Sequence, residues 1–193
     1  MARIGLVLTP GFADWEYAFI AGTASPFYGI DVSFFSPTPG QFFSQGGLAV
    51  TVDSSLPQCL DWKPDVVVVV GGVIWEHTEA PDIGAFLQTS RLNGSTIAGI
   101  CGGTLALARG DLLNSTPHTS NSADFLKQNA ARYKGEAHYQ SGSRAMAADR
   151  IITAPGTAPV SFTCAVFEAA GLSQETTSQF RSMLAAEHEC AAE

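Results

Sequence analysis

Short apolar runs closed by turn residues alternate along this chain with segments of helical period, the pattern of parallel strands joined by crossover helices. Ile4 to Thr9 reads as the first strand. Asp14 to about Tyr28 reads as a helix in which Trp15, Ala18 and Phe19 are spaced as one apolar face, with Asp14 and Glu16 in the first turn. Asp31 to Ser36 predicts a second strand, and Phe42 to Ser44 and Leu48 to Val52 flank Gln45-Gly46-Gly47 as a hairpin. Val66 to Val70 is an unbroken β-branched run ending in Gly71-Gly72, as expected of a central strand buried on both faces. A helix from about Pro81 to Leu92, a strand from Thr96 to Ile100, a turn at Cys101 and a helix through Arg109 follow. Ser120 to Tyr133 then reads as helix, Arg150 to Ala154 as strand, and Thr157 to Ala170 and Ser173 to about Glu187 as closing helices.

An α/β layered sheet follows from this order, and the 193 residues suit one domain spanning 1–193. Composition narrows the partners. With 46% hydrophobic and 15% charged residues the chain belongs with globular rather than disordered sequences. Its formal charge of −8, without a Lys/Arg cluster, argues against nucleic acid or an anionic membrane surface and for a small-molecule substrate. No apolar run approaches the roughly 18 residues a membrane span needs, and Pro10, Gly11, Asp14 and Glu16 interrupt what would have to be the core of an export signal. Cys59, Cys101, Cys164 and Cys190 are scattered with no Cys-x-x-Cys pair, which suggests neither a disulfide framework nor a metal site and suits a reducing cytoplasm. No cofactor is expected, because no nucleotide-binding glycine motif is present.

The chemistry concentrates at Gly99-Ile100-Cys101-Gly102-Gly103, a Gly-x-nucleophile-x-Gly elbow with Cys as the nucleophile. Small residues two before and two after are required because the chain turns sharply from strand into helix while the nucleophile's backbone is strained. A sulfur so placed lies near exposed N–H groups of the next helix, and its pKa is expected to fall below the free value of ~8.5. The alternative is a buried, inert core cysteine. Cys59, Cys164 and Cys190, read as lying in a loop, a helix and a tail, are expected to have structural or incidental roles.

The elbow, Glu16 after the first strand, Val66 to Gly72, and Ile151-Ile152-Thr153-Ala154-Pro155-Gly156-Thr157 together make the chain resemble the DJ-1/PfpI superfamily, which is related to class I glutamine amidotransferase domains. The resemblance implies a flavodoxin-like three-layer sandwich with a mostly parallel central sheet, a homodimer, and a catalytic cysteine on the elbow. It implies that Glu16, when protonated, hydrogen-bonds the Cys101 sulfur; the competing reading is a solvated acid stabilised by the helix dipole. Gly72 and Gly102 would offer backbone N–H groups to an oxyanion. His118 falls roughly where many relatives carry a histidine near the site and could act as general acid or base, or be only a polar residue before a helix. Thr104, Trp15 and Trp75 are candidates to line the pocket, and His77 could approach its mouth.

Two departures bear on activity. Peptidase-like relatives have histidine directly after the cysteine, where this chain has Gly102, and amidotransferases need a His and Glu two apart after a late strand, which is missing after Ile151 to Ala154. His188 lies in the tail instead, and no DNA-reading helix-turn-helix is expected there. The expected function is a cofactor-independent, cysteine-dependent enzyme acting on a small electrophile by 2-oxoaldehyde conversion, deglycation, isonitrile hydration or amide hydrolysis. The alternative is a redox or oxidative-stress sensor that uses an oxidisable Cys101.

Overall fold

The computed structural model describes residues 1–186; His188 and Cys190 lie outside the described residues. In chain order the elements are β1 (Arg3–Val7), α1 (Asp14–Tyr28), β2 (Asp31–Phe35), β3 (Gly40–Phe43), β4 (Ala49–Val52), α2 (Leu56–Trp62), β5 (Val66–Val69), α3 (Gly84–Leu92), β6 (Thr96–Ile100), α4 (Gly103–Arg109), α5 (Ala123–Asn129), β7 (Met146–Ala148), β8 (Ile151–Ala154), α6 (Pro159–Ala169) and α7 (Gln174–Ala185). A six-stranded sheet runs β2-β1-β5-β6-β8-β7, parallel except at β7. The antiparallel pair β3–β4 forms a sheet of its own.

Both faces of the sheet are covered. Val66, Val68 and Val70 pack with Ile20 and Ala24 of α1 and with Phe162, Val166 and Phe167 of α6. Val67 and Val69 face the other way, toward Leu87 of α3 and Leu105 and Leu107 of α4. Successive side chains of a strand point to opposite faces, so an unbroken apolar strand requires this two-sided burial. The result is the flavodoxin-like three-layer sandwich. No helix among the described residues is long and apolar enough to cross a membrane.

Several local expectations are corrected. The buried stripe of α1 is Glu16, Ile20 and Ala24, at i, i+4 and i+8, not the face carrying Trp15, Ala18 and Phe19. Phe19 is partly covered by Phe180 of α7, whereas Trp15 and Ala18 are exposed. The helix expected over 120–133 is only α5, because Ser122 caps it by accepting from Phe125 N–H at 3.0 Å and it ends at Asn129, after which the chain turns. Cys59 lies on α2 rather than in a loop, buried, and burial pushes its thiol up to about 12.

The strand order reverses beside β1: β2 lies on one side, and β5, β6 and β8 follow on the other. In open α/β sheets the crevice outside the carboxyl ends of the strands at such a point is where ligands bind. The turns after β1, β5, β6 and β8 carry Glu16, Gly71-Gly72, Cys101 and Gly156 to that edge.

Candidate active site

Cys101 directly follows β6 and has φ of 53°, in the left-handed region that a side-chain-bearing residue seldom occupies. Its neighbours hold it there. Its N–H donates to Ala154 O at the end of β8 at 2.9 Å, and its carbonyl accepts from Thr104 N–H at 3.1 Å and from the Thr104 hydroxyl at 2.6 Å. Thr104 is itself tied to Ser120 Oγ at 2.7 Å. Strained backbone persists where surrounding structure over-determines it, and such strain concentrates at functional sites. The flanking glycines answer the packing demand: a Cβ on Gly103 would collide with Val69 O, and one on Gly99 would lie 3.1 Å from Gly103 O.

Glu16 stands opposite the sulfur and is only 1% exposed. Its Oε2 accepts from Gly71 N–H at 2.7 Å. Its Oε1 makes no hydrogen bond of ordinary geometry among the described residues and faces the Cys101 side chain. Two close approaches define the space between them. A Cβ on Gly71 would strike Glu16 Oε2 and lie 2.9 Å from Cys101 Cβ, and one on Gly156 would lie 2.9 Å from Cys101 Sγ and 3.3 Å from Glu16 Oε1. Burial raises the Glu16 carboxyl from 4.5 to about 7, against the opposing pull of the Cys101 thiol and Gly71 N–H. A carboxyl removed from water favours its neutral form.

The expected lowering of the Cys101 pKa is not what the surroundings produce. Burial first, then the charge of ionised Glu16, push the thiol up to about 11, while Asn121 and the Gly102 N–H pull it down. The end of α4 does act, through Gly102, but burial beside an acid outweighs it. Cys101 and Glu16 therefore form one titrating unit that gives up its first proton near pH 7.

Gly72 and Gly102 meet back to back: a Cβ on Gly102 would lie 2.7 Å from Gly72 O and 3.2 Å from Gly72 N. Neither N–H has a backbone acceptor among the described residues. A cleft of about 620 Å³ opens over the sulfur, lined by Trp15, Cys101, Asn121, Gly156, Thr157 and Pro159.

His118 is not in this cleft. Its ring is 0% exposed, with Nδ1 2.7 Å from Thr116 O and Nε2 2.7 Å from the Tyr133 hydroxyl. A carbonyl can only accept, so Nδ1 carries the proton and Nε2 accepts from Tyr133. The neutral ring is fully satisfied, and burial lowers its pKa. His118 pins its loop, its backbone pairing with His138 O at 3.2 Å and Gln140 N–H at 2.8 Å. Thr104 supports the elbow backbone rather than lining the cleft. Trp75 is in the core with Nε1 on Val70 O, and His77 borders a separate hollow of about 370 Å³ with Asp82 and Arg109.

A model of the DJ-1/PfpI family matches residues 2–169. The chain belongs to the DJ-1/PfpI family. It is 34% identical over 174 residues to the Bacillus subtilis protein named uncharacterized protease YoaZ, a match covering 86% of this chain and 82% of the relative. The crystal structure of the DJ-1 superfamily protein Atu0886 from Agrobacterium tumefaciens superposes with a TM-score of 0.90 at 35% identity, covering 98% of this chain and 100% of that one. A thiJ/pfpI family protein from Bacillus anthracis gives 0.78 at 27% identity, covering 89% and 84%.

In this DJ-1/PfpI chain the side chain that reaches the sulfur from the loop after α4 is Asn121. Its Nδ2 donates to Sγ at 3.3 Å, while its Oδ1 accepts from Gly156 N–H at 3.0 Å. The second bond fixes the first, because only the carbonyl oxygen can accept from Gly156 and the amide nitrogen is thereby turned to the sulfur. The loop is anchored by Thr119 N–H on the Thr153 hydroxyl at 2.8 Å. Sequence reading missed Asn121, and the only trace of it was its place three residues past His118. Among the described residues no cluster of three or more His, Cys, Asp or Glu side chains is arranged to hold a metal.

Proposed function

We propose that this DJ-1/PfpI protein is a cofactor-independent enzyme in which Cys101 attacks the electrophilic carbon of a small molecule. Attack forms the S–C bond and moves the carbonyl π pair onto oxygen, where the N–H groups of Gly72 and Gly102 face the developing charge. Glu16 holds the proton that the sulfur gives up and returns it to the substrate, which suits an acid raised to about 7. His118 has no part in this scheme, since both ring nitrogens are occupied. A homodimer working in the cytoplasm is carried with the same reading.

The observation that supports it best is the Glu16 carboxyl, buried with Oε1 turned to Cys101 and left without another partner. A turnover assay on methylglyoxal and related neutral electrophiles, with Cys101→Ser as control, tests it. Turnover is expected in wild type and loss of at least about a thousandfold in the control, as for removal of a covalent nucleophile. Wild-type rates no higher than the control across the panel would overturn it.

A redox role for the same sulfur is the second reading, favoured by the donors already aimed at it. Asn121 Nδ2, Gly102 N–H and protonated Glu16 could each hydrogen-bond an oxygen on an oxidised Cys101. Peptide hydrolysis, the activity in the name of the Bacillus subtilis relative, draws little support here. Among the described residues no histidine bonds the sulfur to serve the departing amine.

A further inference from the structure

We infer that the cleft selects uncharged electrophiles bearing a flat apolar substituent, and that Trp15 is the residue that reads the substituent. This rests on the proposed function, since it assumes that Cys101 is the attacking group.

The placement of Trp15 follows from that of Glu16. Consecutive residues on a helix point about 100° apart, so a first turn that buries Glu16 against Cys101 rotates Trp15 onto the adjoining cleft wall. The indole is tied there: Nε1 donates to Gly156 O at 3.0 Å, and Gly156 is the residue packed against the sulfur. Trp15 nevertheless remains 47% exposed. With its N–H already paired, what it offers to the cleft is ring surface, and a large rigid apolar surface at the mouth of a site is suited to stacking.

The other wall points the same way. Pro159 and Thr157 complete the lining, and none of the six lining residues is charged. The charges nearest on α1 are negative, from Asp14, whose Oδ2 accepts from Gly46 N–H at 2.8 Å, and from the Glu16–Cys101 pair. A carboxylate-bearing substrate would find no cation in the cleft and a negative field behind it.

Alkylation of Cys101 tests this without requiring turnover. Rates with iodoacetamide, its N-phenyl analogue iodoacetanilide, and iodoacetate are measured at pH 8 by mass spectrometry, with peptide mapping to assign the label. Each rate is divided by that of the same reagent with N-acetylcysteine. The N-phenyl reagent is expected to gain roughly three- to tenfold over iodoacetamide, the size of one aromatic contact. Iodoacetate is expected to lose about tenfold or more in a negative field. Trp15→Ala should return the N-phenyl ratio to that of the free thiol, and Trp15→Phe, which keeps a ring without the N–H, should retain most of it. A wild-type ratio of one, a preference that survives in Trp15→Ala, or iodoacetate reacting as fast as iodoacetamide would overturn the inference and leave the nucleophile standing. Absence of alkylation by all three reagents would overturn both.

Discussion

The site around Cys101, open to solvent on one side, and the buried cluster around His118 lie 17 residues apart in sequence, yet their hydrogen bonding is opposite in kind. At His118 both ring nitrogens are paired, and the ring sits edge-on to Tyr133 and Tyr139 at centroid distances of 5.5 and 5.8 Å. At Cys101 the backbone is strained, and among the described residues Glu16 Oε1 has no partner of ordinary geometry and the N–H groups of Gly72 and Gly102 lack backbone acceptors. A closed set of bonds holds a loop in place. An open set, kept open by a surrounding scaffold, leaves groups available to a reacting molecule.

The largest expected effect comes from closing the open set at Glu16. Glu16→Gln keeps the bond to Gly71 N–H and the shape but cannot share a proton. In wild type, alkylation of Cys101 should rise as the pair loses its first proton near pH 7. In Glu16→Gln no carboxylate is left to take the thiol proton, so the rise near pH 7 should disappear and reactivity at pH 7 should fall about a hundredfold, as for loss of a general base. What remains should follow the ionisation of a thiol still raised by burial but no longer by the Glu16 charge. An onset that does not move would show that Glu16 does not set the sulfur's reactivity. Stability should respond with the opposite sign. The Glu16 carboxyl is raised in the fold from 4.5 to about 7, so its contribution is intact below pH 4.5 and is lost as pH rises through 7. Between pH 4 and pH 8 the stability of Glu16→Gln relative to wild type should improve by roughly 2–3 kcal/mol in chemical denaturation.

The next effect should fall on the closed set and spare the sulfur. His118→Phe preserves the edge-on packing but leaves the Tyr133 hydroxyl and Thr116 carbonyl without their partner, a cost of about 2 kcal/mol for two buried groups. Urea unfolding reads this loss, while the pH onset of Cys101 alkylation stays at the wild-type position. A shifted onset without a loss of stability would move His118 from scaffold to site and break the contrast. The native histidine also has a linkage of its own. Its folded pKa is lowered, so its contribution is full above the unfolded value and is lost as pH falls through the folded one.

The contrast explains which features were legible in the sequence. The β-branched run, the alternation of strands and helices, and the glycines around Cys101 are local signals, and they placed the sheet and the elbow. Helix α2 was missed although Ser55 and Gln58 mark its start, with Ser55 N–H donating to Gln58 Oε1 at 2.7 Å; its seven residues carry little periodicity. Edge strand β7, with three residues, carries less. On α1 the aromatic residues outweighed the Glu16, Ile20, Ala24 stripe, because a charged residue at the head of a stripe ordinarily marks the solvent face. The sign of the Cys101 shift was misread for a related reason: a helix end is visible in sequence, whereas burial and the approach of Glu16 arise only when the segments that follow β1 and β6 meet at the sheet's carboxyl edge. His118 and Asn121 are three residues apart, and which of them turns toward the sulfur is decided by tertiary bonds to Tyr133 and Gly156.

Asn121 supplies the finest test, because it adds a small, specific polarity to the open set. Asn121→Ala removes one donor from the sulfur and the acceptor of Gly156 N–H, both at an exposed position where water replaces part of what is lost. The expected fall in alkylation rate at pH 7 is about fivefold, close to 1 kcal/mol, the net worth of one such bond when solvent competes. Asn121→Asp separates the two bonds, since its carboxylate can still accept from Gly156 but cannot donate to sulfur and adds a negative charge. It should slow alkylation more than Asn121→Ala does, with a deficit that shrinks as salt is added. A wild-type rate in Asn121→Asp beside a slowed Asn121→Ala would mean that Asn121 acts only by holding Gly156, and that the donors at the sulfur come down to Gly102 and Glu16.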